Sequence, residues 1–224
     1  MNRRLAALMT CAALLATLLV AAPAPKAHAQ AYCNVYAPSR VSVWSYFQQV
    51  NVTYGAGCGL SGTEFAWWSL VHPSTGQEAV MAYPDNTWFD FYSFNPTGRY
   101  TVRPEGGYDI NYDDITQNTS TVEVRLGSVA YISAARSGGY HVITARTYHY
   151  SPNYGRIVAT GSRTGQVQYR PVGTTTWRAV ATITTGSNGH WTGRTWSPGA
   201  REYRVVFGDA GTLWSATSAT LHAG

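Results

Sequence analysis

Apolar and polar residues alternate in short runs along nearly the whole chain. Residues 41–44 and 49–54 read Val-Ser-Val-Trp and Gln-Val-Asn-Val-Thr-Tyr. That is the period of a half-buried strand. Residues 55–62 are expected as a loop and 65–71 as the next strand. His72-Pro73-Ser74-Thr75-Gly76 reads as a turn, since Pro ends ladder pairing and Gly permits positive φ. Residues 78–83 and 88–92 are expected to pair across Pro84-Asp85-Asn86, with 99–103 and 121–126 closing the sheets. The plan then repeats: strands over 129–133, 140–150, 166–170, 177–184, 202–207 and 216–222, with turns at 137–139, 151–155, 171–175 and 186–189. No stretch beyond residue 30 carries a helical period.

One unit occurs twice. Residues 88–102 read WFDFYSFNPTGRYTV and residues 191–205 read WTGRTWSPGAREYRV. Each opens on Trp, turns at Pro and Gly, and closes on Tyr-x-Val. Trp88 and Trp191 each stand twelve residues before a Tyr, and the copies lie 103 residues apart. That offset is close to the length of about 100 residues of an immunoglobulin-type sandwich. The expectation is an all-β protein of two tandem immunoglobulin-like domains, 30–126 and 127–224, behind a signal peptide at 1–29. Tyr100 and Tyr203 are expected as tyrosine corners, buried rings whose hydroxyls return to backbone.

The leader reading rests on Arg3 and Arg4, an apolar run over 5–20, and the small residues of Ala27-His28-Ala29, with cleavage before Gln30. It places the mature chain outside the cell, secreted and without a membrane anchor. There, Cys33 and Cys58 read as a disulfide. Residues 31–126 hold four Arg against nine acids, and residues 127–224 hold nine Arg against two. The sign of the charge changes near Gly127. The basic half could meet an anionic polymer, the two halves could attract each other, or the composition could be incidental.

The second half then resembles a family. Gly161-x5-Val167-Gln-Tyr-Arg-Pro-Val-Gly-Thr-Thr-Thr-Trp177, the run Ala-Thr-Ile-Thr-Thr-Gly-Ser-Asn-Gly189, and Tyr203-Arg-Val-Val206 are similar to the immunoglobulin-like modules of secreted actinobacterial proteins. The likeness spans 127–224, and in 31–126 it is confined to Gly98-Arg-Tyr-Thr-Val102 and the closing strand. It implies a bacterial, exported accessory or binding module. The fold itself hosts many unrelated roles.

Catalytic signatures are missing. The chain has no Gly-x-Ser-x-Gly elbow, His-Glu-x-x-His pair, phosphate loop or Cys-x-x-Cys pair. Each of His72, His141, His149, His190 and His222 is expected at a surface or turn. No catalytic residue and no cofactor is assigned. Asp109, Asn111, Asp113 and Asp114 form an oxygen-rich run of the kind that suits calcium. However, Asp114 and Ser120 stand where a helical calcium loop needs Gly and Glu, and an Asx-rich turn is the competing reading. Trp67, Trp68, Trp88 and Tyr92 are candidate ligand-binding aromatics. Trp67 and Trp68 must point to opposite faces, and Trp88, Asp90 and Tyr92 share the face opposite Phe89 and Phe91. Arg163, Arg170 and Arg178 are candidate anion-binding residues. The function expected is a monomeric, non-catalytic binding or structural protein engaging a cell-wall polyanion, a glycan or an extracellular protein. Neither nucleic acid nor membrane is expected as a partner. An enzyme or enzyme inhibitor with a site between the halves is the alternative.

Overall fold

The computed structural model describes residues 30–224; the signal peptide expected at 1–29 lies outside the described residues. These form one compact unit, 31–224, built almost wholly of strands. Their buried apolar residues fall into two clusters. One is centred on Trp68, Leu70, Phe89, Phe91, Tyr100 and Val102, the other on Ile143, Val167, Tyr203, Val205 and Phe207.

The first cluster lies between two sheets. A five-stranded sheet runs in the order Arg40–Val43, Ser120–Leu126, Gly98–Asp109, Thr63–His72, Gly76–Tyr83. Facing it, Phe47–Asn51 pairs with Trp88–Tyr92, and Val35–Tyr36 pairs with Thr53–Tyr54. The expected pairing of 78–83 with 88–92 is therefore wrong. The chain crosses from one sheet to the other at residues 84–87, so each strand bonds within its own layer. Trp68 is fully buried on Thr63–His72, and its Nε1 donates to the Asn118 carbonyl at 3.1 Å. Burying such a ring contributes about 4–6 kcal/mol before entropy. Tyr100 donates its hydroxyl to the Pro96 carbonyl at 2.5 Å, which is a tyrosine corner. Buried Trp, tyrosine corner and sheet order together make this an immunoglobulin-type sandwich. Its disulfide is placed differently. Val102 stands two residues after the corner Tyr, and Cys33 instead bonds Cys58 (S–S 2.04 Å), tying the N-terminal strand to the segment before Thr63–His72. That segment is not wholly loop, since Ala56–Leu60 forms one turn of helix.

The second cluster lies between Tyr140–Ser151, with Ser128–Ser137, Arg156–Ala159 and His190–Trp196 paired to it or beside it, and the sheet Arg178–Thr184, Thr164–Pro171, Arg201–Phe207, Ala216–Thr217 with Leu221–Ala223. Here the copied unit departs from its twin. Trp191 pairs in register with the buried Ala145 and packs on the core, whereas Trp88 faces solvent beside inward Phe89. With side chains alternating at period two, a one-residue offset reverses the face. Tyr203 departs too. Its hydroxyl bonds His141 Nδ1 at 3.0 Å across the core rather than backbone. His141 is fully buried, not at a surface or turn.

The two sandwich cores are joined by the loop of residues 208–215. Trp214, 6% exposed, donates Nε1 to the Val41 carbonyl at 2.7 Å. The guanidinium carbons of Arg40 and Arg125 lie 3.8 and 4.8 Å from its ring centroid, and both Arg side chains reach Asp209 at 3.6 Å. Arg163 holds the loop from within. Its Nη2 donates to the Gly208 and Trp214 carbonyls at 2.9 and 2.6 Å. Arg163 is 3% exposed, so it cannot be a surface anion site. Burial pulls its pKa below the usual arginine range, and nearby Asp209 opposes that shift. At the crossing point Gly127 meets the Trp44 ring, which a Cβ would approach to 2.1 Å. Replacing Trp214 by Ala should therefore cost about 3–5 kcal/mol in urea unfolding, from the lost ring and an orphaned Val41 carbonyl. The same truncation at Leu60, 86% exposed, should change stability by less than about 0.5 kcal/mol.

Candidate functional site

The outward face of Trp88–Tyr92 builds a cleft. Phe89 and Phe91 fill the core, which turns Trp88, Asp90 and Tyr92 to the other side. The neighbouring strand presents Asn51, Gln49 and Phe47 opposite them in register. From the facing sheet, Gly76–Tyr83 brings Glu78, and the crossover brings Asn86. The result is a cavity of about 240 Å³ lined by Glu78, Asn86, Trp88, Asp90 and Tyr92, among others.

Each polar group in the cleft is held in place. Glu78 Oε2 accepts from Asn95 Nδ2 at 2.7 Å and Oε1 from the Thr75 hydroxyl. Asp90 Oδ1 accepts from Gln49 Nε2 at 3.3 Å. Asn86 Oδ1 accepts from the Ala82 amide at 3.2 Å. A carboxylate offers about four acceptor positions, so each acid keeps lone pairs for a ligand's hydroxyls. Trp88 is 38% exposed. Beyond it the aromatic surface continues: Tyr92 stacks on Phe94 at 5.2 Å and lies 5.2 Å from Phe47 and 6.1 Å from Tyr46. Glu78 also touches the fold, since its charge adds to burial in pushing the Tyr100 phenol well above its usual range.

The four aromatic candidates separate. Trp88 and Tyr92 share the cleft. Trp68 is sealed in the core and cannot meet a ligand. Trp67 lies on the outer face of the other sheet, with Phe65 at 5.3 Å and the Gly106 backbone beneath its ring. Glu78 and Asn86 went unnoticed in the sequence because the strand carrying Glu78 was placed in the wrong sheet. The signal available was the Pro84-Asp85-Asn86 break, which can change sheets as readily as turn a hairpin.

The remaining candidates do not converge. Asp109 Oδ1 accepts the backbone amides of Asn111 and Asp113 at 2.8 and 3.0 Å, the bonding of an Asx turn. Among the described residues no three His, Cys, Asp or Glu side chains are grouped to hold a metal. Arg170 pairs with Glu202 at 2.5 Å and stacks on Trp177, as does Arg204. Arg178 pairs in register with Tyr169, one residue before Arg170, and so points to the opposite face. The rings of His72, His141, His149 and His190 bond the hydroxyls of Ser74, Tyr203, Thr160 and Tyr148, and His72 Nδ1 also accepts the Ser74 backbone amide at 3.3 Å.

Comparison adds little to this geometry. No family model matches the chain, and no curated protein matches it. Among solved structures it is similar to the D00-D0 domain of intimin, at 14% identity, TM-score 0.29, over 86% of this chain and 99% of that one. It is similar to chicken CNTN1 FN1-FN3 domains, at 12% identity, TM-score 0.32, over 87% and 68%. A third is the fibronectin(III)-like modules of Clostridium thermocellum CbhA, at 11% identity, TM-score 0.35, over 85% and 90%. Likenesses this low assign no role, and the sandwich assignment rests on the chain's own pairing.

Two imidazoles, the buried His141 and the half-buried His149, give a pH dependence. Burial, then Arg136 and Arg201, lowers the pKa of His141; burial, then Arg163, lowers that of His149. In the unfolded chain both titrate near 6.5. Below that pH the unfolded state binds more protons than the folded state, so stability falls on acidification. Urea unfolding between pH 7 and pH 5 should show a loss of up to about 1.4 kcal/mol per pH unit for each His. The His141→Gln variant should show a shallower slope.

Proposed function

We propose that the protein is a non-catalytic extracellular binding module that takes a neutral glycan in the Trp88 cleft. It is built as two immunoglobulin-like domains, 30–126 and 127–224, released by removal of residues 1–29. The observation that carries the reading is the meeting, in one cleft, of a half-exposed Trp, a Tyr, two carboxylates and an amide. A pyranose presents an apolar C–H face and a rim of hydroxyls. The Trp88 and Tyr92 rings suit the first, while Asp90, Glu78 and Asn86 suit the second. Two carboxylates beside the rings favour an uncharged sugar over an anionic one. The disulfide fits an oxidising compartment.

Affinity electrophoresis through gels containing a β-glucan, a mannan or a galactan tests this. At least one should retard the protein. Trp88→Ala should weaken that binding at least tenfold, about 1.4 kcal/mol, without lowering the melting temperature. Trp67→Ala, on the other sheet, should leave it unchanged. Binding that survives Trp88→Ala, or retardation by none of the three, contradicts the proposal.

A further inference from the structure

A second concavity lies on the outer face of the sheet centred on Tyr140–Ser151. It encloses about 510 Å³ and is lined by Tyr131, Ser133, Thr144, Arg146, Tyr148 and Ile157, among others. That volume falls within the range of roughly 300–1,000 Å³ typical of small-ligand sites. Strand alternation assembles it. His141, Ile143, Ala145 and Thr147 turn inward, so Thr144, Arg146 and Tyr148 turn out. In register beside Arg146 stand Tyr131 on one strand and His190 on the other.

Chemistry and geometry agree at this place. The rings of Tyr131 and Tyr148 meet edge to face at 5.8 Å, and Tyr131 is 55% exposed. Tyr148 and His190 share a hydrogen bond of 3.3 Å, which fixes one wall. Thr144 and Thr192 bring their hydroxyls together at 3.1 Å, next to Ser133. Arg146 is exposed, and neither acid of its own half is free to pair with it. The two acids of residues 127–224 are Glu202 and Asp209; the first is bound to Arg170 and the second to Arg40 and Arg125. The guanidinium is therefore a planar fork of donors set between two tyrosines and a row of hydroxyls.

We propose that this groove binds a carboxylate-bearing sugar, with Arg146 taking the carboxylate and the tyrosines taking the ring. Arg presents paired N–H donors in the geometry of a carboxylate. The three hydroxyls suit a polyol, and an apolar protein partner would leave them unpaired. An extended peptide would add at a sheet edge, whereas this is a face. Charge complementarity is local as well as general, because the half carries nine Arg and two committed acids. The site is separate from the Trp88 cleft and stands or falls independently of it.

Isothermal titration of the protein with polygalacturonate and with its fully methyl-esterified form supplies the test. The acid form should bind at least tenfold more tightly. Arg146→Gln should erase that difference, and Tyr131→Ala should weaken binding of the acid form at least fivefold. Arg178→Gln, on the other sheet, should leave it unchanged. Equal binding of the two forms overturns the proposal without any variant. So does an Arg178→Gln loss equal to that of Arg146→Gln, which would mean a diffuse field rather than a site. Tighter binding of a phosphate-linked wall polymer than of polygalacturonate overturns the carboxylate assignment.

Discussion

Trp214 is the side chain on which the joining of the two cores depends. Its indole N–H reaches the Val41 carbonyl, on the first strand of the five-stranded sheet, from a loop that follows Arg201–Phe207. Two guanidinium groups cover its ring, and Arg163 draws its backbone inward. The charges here run against the composition. The cations Arg40 and Arg125 come from the acidic half and the anion Asp209 from the basic half. The halves are joined by the Trp214 ring and its Val41 acceptor, by backbone bonds of Leu126 to Thr212 and Trp214, by Tyr150 buried in the first core, and by a local exchange of ion pairs. Exposed pairs contribute little, so most of the stabilisation comes from burying the Trp and satisfying its donor.

With the junction fixed, the faces turned away from the cores are left for ligands, and they differ in kind. The first half offers a cleft with two carboxylates beside aromatic rings. The second offers an Arg beside a pair of tyrosines, in a half whose two acids are both engaged. The sign change along the sequence is thus a difference between two local chemistries, and the ligand classes proposed for them diverge accordingly.

Strand alternation was legible in the sequence. It placed Phe89 and Phe91 inside and Trp88, Asp90 and Tyr92 outside, and it required one of Trp67 and Trp68 to be buried. The disulfide was legible from two cysteines in a chain read as exported. Pairing was not, because a break such as Pro84-Asp85-Asn86 does not say whether the chain turns back or changes sheet. The phase of the copied unit was not legible either. Equal Trp-to-Tyr spacing suggested equivalence, yet Trp88 faces out and Trp191 faces in. Arg163 was misread because an arginine is ordinarily exposed, and its carbonyl partners lie 45 and 51 residues away. The Arg146 groove had one signal, Arg146 and Tyr148 at alternating positions of one strand in a half with only two acids. The choice among nine Arg needed the register.

If the Trp88 cleft is the glycan-binding surface, the indole N–H resonances of the protein report it. The chain has eight Trp, spread over the core, the junction and the outer faces. On titration with a neutral oligosaccharide that binds, the Trp88 resonance should move most, while those of Trp68 and Trp214 stay in place. A stationary Trp88, with the largest shift at Trp67 or Trp196 instead, would contradict the account.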